Sequence, residues 1–190
     1  DLVRRLQSAA LSPMALINAW YIPNPPWKQV DRTANKEGRF DASWENLEMI
    51  CRGVLELRMQ LVPYLHAAFV EYHTTGLPPF RPLVMDWPAD AQTWAVDDQW
   101  IVGPGLLVAP VVAGQTSRGV YLPEGVWYDF WTGQRHEGHQ HIEVRPTLAQ
   151  IPLFVRSGRI AQPTAPVPAA PVPAAPVPAV SIGAGAIWGR

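Results

Sequence analysis

The chain has 190 residues, a formal charge of -1 and 48% hydrophobic side chains, enough apolar material for one or two cored domains. Near-neutrality gives no electrostatic ground for nucleic acid or an anionic membrane surface as a partner, and no apolar run reaches the ~18 residues that a bilayer span needs. The single cysteine, Cys51, excludes an intrachain disulfide and a thiolate metal cluster.

In chain order, residues 1–11 read as the tail of an amphipathic helix, with Leu2, Val3 and Leu6 inward and Arg4, Arg5 and Gln7 outward, stopped by Ser12-Pro13. Met14 to Ile17 is a short continuous apolar run of the kind found in buried parallel strands. It leads into the aromatic and proline-rich stretch NAWYIPNPPW, residues 18–27. From Tyr21 to Arg39 no apolar period is visible, which predicts a long loop, and loops of that length tend to carry function. A long helix follows, capped by Asp41 or Ser43, with Glu45 and Glu48 near its positive end. Leu47, Ile50, Cys51, Val54, Leu57, Leu61, Leu65, Ala68 and Phe69 mark its buried stripe, Pro63 predicts a kink, and Gly76 with Pro78-Pro79 ends it. Cys51 then reads as a small buried hydrophobe rather than a reactive thiol.

Past Gly76 the texture changes. The runs RPLVMDW, QWIVG, LLVAPVV, GVYLP, VWYDFW, HIEVR and PLFVRSG, separated by Gly, Pro and Asp, predict short strands of an antiparallel sandwich. From Pro163 a Pro-Ala repeat takes over, for which polyproline II or disorder is the expectation. The chain thus divides at about Gly76 and again at about Gln162.

Four segments in order carry a specific pattern: LRMQLVPYLHAAFVEYHTTGLPPFRPL (57–83), VDDQWIVGPGLLVAPVV (96–112), VYLPEGVWYDFWTG (120–133) and IPLFVRSG (151–158). Together they resemble the C-terminal half of glycoside hydrolase family 31, whose typical members are retaining α-glucosidases and α-xylosidases. The resemblance implies that residues 1–76 are the end of a (β/α)8 barrel, with Met14 to Asn18 as its eighth strand. Residues 77–162 would be the proximal β-sandwich and 163–190 a Pro/Ala-rich tail. The overall class is then α/β plus all-β.

Barrel active sites lie at the C-terminal ends of the strands, and residues 18–27 sit just past such an end. The resemblance therefore makes Asn18, Trp20 and Trp27 candidate substrate-binding residues. The family's barrel strand usually presents an Arg and, two residues later, a His; here those positions hold Leu16 and Asn18. Asn can exchange hydrogen bonds with a sugar hydroxyl but carries no charge. The plain alternative is that the two Trp rings only seal the barrel top.

A retaining glycosidase needs two carboxyl groups about 5–5.5 Å apart. The resemblance places both on earlier barrel strands, one in a Trp-x-Asp-Met-Asn-Glu type sequence that these 190 residues do not contain. No carboxylate present reads as a substitute. Asp97 and Asp98 are adjacent and would face opposite ways on a strand; Glu124 and Asp129 flank a turn; Glu45 and Glu48 compensate a helix dipole. His136, His139 and His141 read as exposed strand histidines in preference to a metal site. No phosphate loop or nucleophile elbow appears, and no cofactor is expected.

These readings converge on the C-terminal part of an enzyme hydrolysing α-linked glucosides or xylosides, inactive without its aspartates. A carbohydrate-binding β-sandwich module and a non-functional gene remnant are the competing readings.

Overall fold

The computed structural model describes residues 1–16 and 24–159. Asn18, Trp20 and the Pro-Ala repeat lie outside the described residues.

Helix α1, Leu2–Ala10, forms where expected and buries Val3, Leu6 and Ala10, but Arg4 and Gln7, expected outward, are buried too. They are buried because each reaches a distant backbone carbonyl, Gln150 O at 2.9 Å and Leu148 O at 2.9 Å. The segment after it departs from expectation. Met14, Ala15 and Leu16 form no strand, and Met14 and Leu16 are 70% and 72% exposed. A parallel strand is ordered by the strands beside it, and none of the described strands flanks this one.

The predicted loop from Tyr21 to Arg39 is more structured than its sequence suggested. A 3-10 turn occupies Pro26–Lys28. Helix α2, Arg32–Lys36, is started by Asp31, whose side chain accepts a hydrogen bond from the Ala34 amide. Five residues are too few for an apolar period to register.

The expected single kinked helix is two. Helix α3 spans Trp44–Gln60 and helix α4 Val62–Thr75, joined at Leu61 with Pro63 in the first turn of α4. There Pro63 lacks only an amide that the helix start would not have used. Gly76 closes α4 at φ 76, a left-handed value that side chains with a Cβ resist.

Eight short strands follow: β1 Phe80–Pro82, β2 Trp100–Val102, β3 Leu106–Val108, β4 Arg118–Leu122, β5 Val126–Asp129, β6 Arg135–Glu137, β7 Gln140–Val144 and β8 Leu153–Arg156. All pairings are antiparallel, in a six-stranded sheet ordered β1-β2-β3-β8-β5-β6 and a two-stranded ribbon of β4 and β7. Of the seven anticipated strand runs, RPLVMDW gives only the end of β1 before a 3-10 turn at Leu83–Met85. Strand β6, the sequence RHE, was not anticipated, because it has no apolar residue to announce it and exists by pairing with β5.

Strand alternation sorts the core into two. On one face of the six-stranded sheet, Val102, Leu106, Val108, Leu153 and Val155 pack with Leu57, Leu61, Tyr64 and Leu65 of the helices. On the other, Ile101, Leu107, Trp127 and Phe154 pack with Val120 and Leu122 of the ribbon and with Leu83 and Trp87. A third cluster joins α1 to α3 through Val3, Leu6, Ala10, Ile50, Cys51 and Val54. The result is helices, sheet and ribbon in three layers, so the predicted sandwich has its outer helical cover already in place. Each fully buried large apolar side chain contributes about 1.5–3 kcal/mol.

Candidate substrate-contacting segment

Residues 24–44 form the segment nearest the predicted substrate contacts. Pro25 is extended and Pro26 opens the 3-10 turn, which sets Trp27 down on the α1–α3 cluster. The segment is stapled to itself. The Asn24 amide donates to Asn35 Oδ1 at 2.9 Å, Gln29 Nε2 to the Asn24 carbonyl at 2.8 Å, and the Asp41 amide to the Lys28 carbonyl at 3.1 Å. The Lys28 ammonium lies 3.8 Å from the centre of the Trp44 ring and 5.2 Å from that of Phe40, a cation-π clamp. Ser43 donates from both backbone and side chain to Asp41, which holds that carboxyl below its usual range.

Of the three predicted contacts only Trp27 is described. It is half-buried, and its Nε1 is enclosed with no acceptor among the described residues. A buried indole N–H without a partner costs about 1–3 kcal/mol.

Of the carboxylates weighed above, Asp98, Asp129 and Glu48 have structural work. Asp98 lies in the loop before β2, not on a strand; it pairs with Arg118 at 2.7 Å, and Arg118 also donates to the carbonyls of Asp98 and Pro110. Asp129 Oδ1 accepts from the Trp131 and Thr132 amides, closing the turn after β5. Glu48 pairs with Arg52 one helical turn on. Two further acids that the sequence did not single out are also engaged: Asp86 makes two hydrogen bonds to the buried Arg81, and Asp90 accepts the Tyr121 hydroxyl. Burial raises the Cys51 thiol, which agrees with an inert hydrophobe.

The histidines do not share one strand face. His136 is on β6 opposite Trp127, His141 is on β7 opposite Tyr121, and His139 precedes β7 at φ 55. The glycine and polar motifs are explained by packing. Gly103 stands at φ 56 where a Cβ would meet the Tyr64 ring at 2.7 Å. The Tyr64 hydroxyl donates to the Val102 carbonyl at 2.7 Å and accepts from the Gly105 amide at 3.2 Å. Gln99 is 4% exposed and exchanges two 2.9 Å hydrogen bonds with the Tyr121 backbone, standing in for a strand between ribbon and sheet.

Known proteins share this arrangement. Residues 76–161 match the model of the glycosyl hydrolase family 31 C-terminal domain. An α-xylosidase from Saccharolobus solfataricus is 34% identical over 160 residues, covering 83% of this chain and 20% of that protein. Alpha-glucosidase 2 from Bacillus thermoamyloliquefaciens is 38% identical over 115 residues, 60% of this chain and 15% of its own length. Among solved structures, a family 31 α-xylosidase from a soil metagenome, complexed with xylose, superposes with a TM-score of 0.67 at 35% identity, over 83% of this chain and 24% of its own. A dextranase from Flavobacterium johnsoniae, complexed with isomaltotriose, gives 0.65 at 34% identity, over 83% and 18%. The chain thus spans 15–20% of the length of these two curated relatives. Residues 76–161 are a family 31 C-terminal domain, and the chain belongs to glycoside hydrolase family 31 as a C-terminal portion.

Proposed function

We propose that this chain supplies the end of the barrel and the proximal β-sandwich of a retaining α-glycosidase acting on α-linked glucosides or xylosides. Residues 1–76 are the barrel's last strand and helices, 77–162 the sandwich, and Asn18, Trp20 and Trp27 contribute to the wall of the sugar site. The observation that carries this reading is the helical layer itself. Its inner face is sealed on the sheet, while Met49, Met59, Val62, Val70 and Tyr72 stand 38–68% exposed along α3 and α4. A helix with apolar side chains on both sides is one that expects a second neighbour. A stand-alone binding module has no use for that second face. The buried N–H of Trp27, which has no acceptor among the described residues, is consistent with this, since a further barrel segment or a sugar hydroxyl would supply an oxygen.

On this reading the chain alone hydrolyses nothing, because no nucleophile sequence is present and Asp86, Asp98 and Asp129 are engaged in ion pairs or a turn. The test has two arms. The isolated chain is assayed with aryl α-glucoside and aryl α-xyloside, and release above blank refutes the assignment of catalysis elsewhere. The chain is also substituted for the matched fifth of the Saccharolobus α-xylosidase. A folded chimera that cleaves an α-xyloside supports the reading, and a folded chimera with no turnover counts against it.

A further inference from the structure

The segment between β1 and β2 displays an indole on a rigid mount. Asp90 Oδ1 accepts the Gln92 amide at 3.0 Å and starts the 3-10 turn Ala91–Thr93. Thr93 is 0% exposed, and its hydroxyl lies within hydrogen-bond reach of the carbonyls of Trp87 at 3.0 Å and Asp90 at 2.8 Å. The next residue, Trp94, is 66% exposed, yet its Nε1 donates back to the Pro88 carbonyl at 2.9 Å. The polar edge of the ring is thus spent on the protein, and what meets water is apolar ring surface. That is the reverse of the usual compromise, in which a surface Trp buries its ring and wets its N–H.

The foot of this mount is polar. Asp90 Oδ2 accepts the Tyr121 hydroxyl and lies 3.8 Å from His139 Nδ1. The His141 ring stacks on Tyr121 at 4.8 Å. His139 holds φ 55, a left-handed value that is unusual outside glycine. Around Trp94 in the sequence, Ala91, Gln92, Ala95 and Asp97 are exposed, while the one larger apolar neighbour, Val96, is turned onto the core. A surface that another protein segment covers runs on as a contiguous apolar patch. A single fixed ring with polar neighbours matches instead a pyranose, which offers a flat C–H face to an aromatic ring and hydroxyls to the groups around it.

We propose that Trp94 is a stacking platform for one pyranose unit of an α-linked gluco-oligosaccharide, with His139 and Gln92 as hydrogen-bonding groups at its edge. The α-linked class rests on the proposed glycosidase reading; the stacking site itself does not, so the two can fail separately.

The 190-residue chain is titrated with isomaltotriose and with maltotriose, following indole side-chain resonances by NMR. The expected result is a saturable shift of the Trp94 indole with a dissociation constant on the order of 1 mM. Trp94→Ala should weaken binding at least about tenfold, His139→Ala about threefold, and Trp94→Phe less than about threefold, because a phenyl ring still stacks. Since Trp94 is mostly exposed, each variant's thermal midpoint is expected to match the parent, which separates lost binding from lost fold. Absence of saturation with either sugar overturns the proposal, as does binding that Trp94→Ala leaves intact. The same titration in the folded Saccharolobus chimera provides a further arm. If acrylamide no longer quenches Trp94 there and no sugar shifts it, the ring is a contact for the rest of the parent protein and the proposal falls. Catalysis by that chimera without sugar binding at Trp94 would sink this site while leaving the proposed function standing.

Discussion

The helical layer and the two sheets differ in how completely they satisfy themselves. In the sheet region polar groups close on one another: Arg81 on Asp86, Arg118 on Asp98, Gln99 on the Tyr121 backbone, and the indole N–H groups of Trp87, Trp127 and Trp131 on carbonyls. Its six-stranded sheet is covered on both faces. In the helical region one face is finished and the other presents Met49, Met59, Val62 and Val70 to water, with a buried indole donor on Trp27 that has no acceptor among the described residues. The contrast teaches that internal polar satisfaction, more than apolar content, separates the sheet region from the helical one.

If the contrast holds, substitutions in the sheet region should cost far more than substitutions on the outer helical face. The largest effect is expected at Arg81, which is 5% exposed and also donates to the Gly103 carbonyl. Arg81→Met leaves the Asp86 carboxylate without its partner and should cost about 3–5 kcal/mol by urea denaturation. A loss under 1 kcal/mol would break the comparison at its strongest point. Tyr64→Phe should cost about 1–2 kcal/mol, because the Val102 carbonyl and the Gly105 amide both lose a buried partner.

A pH series sharpens the same point. Burial, with help from the hydrogen bond to Asp90, pushes the Tyr121 hydroxyl up to about 12, and burial also raises Tyr64. A folded-state value above the unfolded one of about 10 stabilises the fold fully below pH 10 and less as pH climbs toward 12. The urea midpoint should therefore fall steeply across pH 10–12, and Tyr121→Phe should flatten part of that fall. A midpoint independent of pH over this window would contradict the closed environment assigned to both rings. Smaller again is His139→Gly, which relieves a left-handed side chain and should stabilise by about 0.5 kcal/mol. Met59→Gln and Val70→Gln, on the open helical face, should change stability by less than about 0.5 kcal/mol in this chain. In the chimera the same two changes should become several times more costly if the rest of the barrel covers them.

Much of the architecture was legible because it is written in periodicity. The three-and-four spacing from Leu47 to Leu65 predicted a buried stripe, whose first half meets α1 and whose second half meets the sheet, and Gly76 predicted the stop. Seven of the strand runs were visible through their apolar residues and turn punctuation. What stayed hidden was set by partners far away in sequence. Strand β6 exists through its ladder to β5, and Pro63 falls in the first turn of a new helix instead of kinking one long helix. The extended character expected at Met14 to Leu16 depends on flanking strands. Of the candidate sugar contacts, Trp27 could be picked from sequence but not its packing against α1 and α3, and Trp94 passed unremarked because exposure leaves no mark on a motif.

The change of texture at Gly76 is a boundary in the sequence but not in the core. Leu57, Leu61, Tyr64 and Leu65 lie before it and share one cluster with Val102, Leu106, Val108 and Val155 beyond it. A protease cut at that glycine would divide a single hydrophobic interior, and each side should then expose the apolar face that the other now covers.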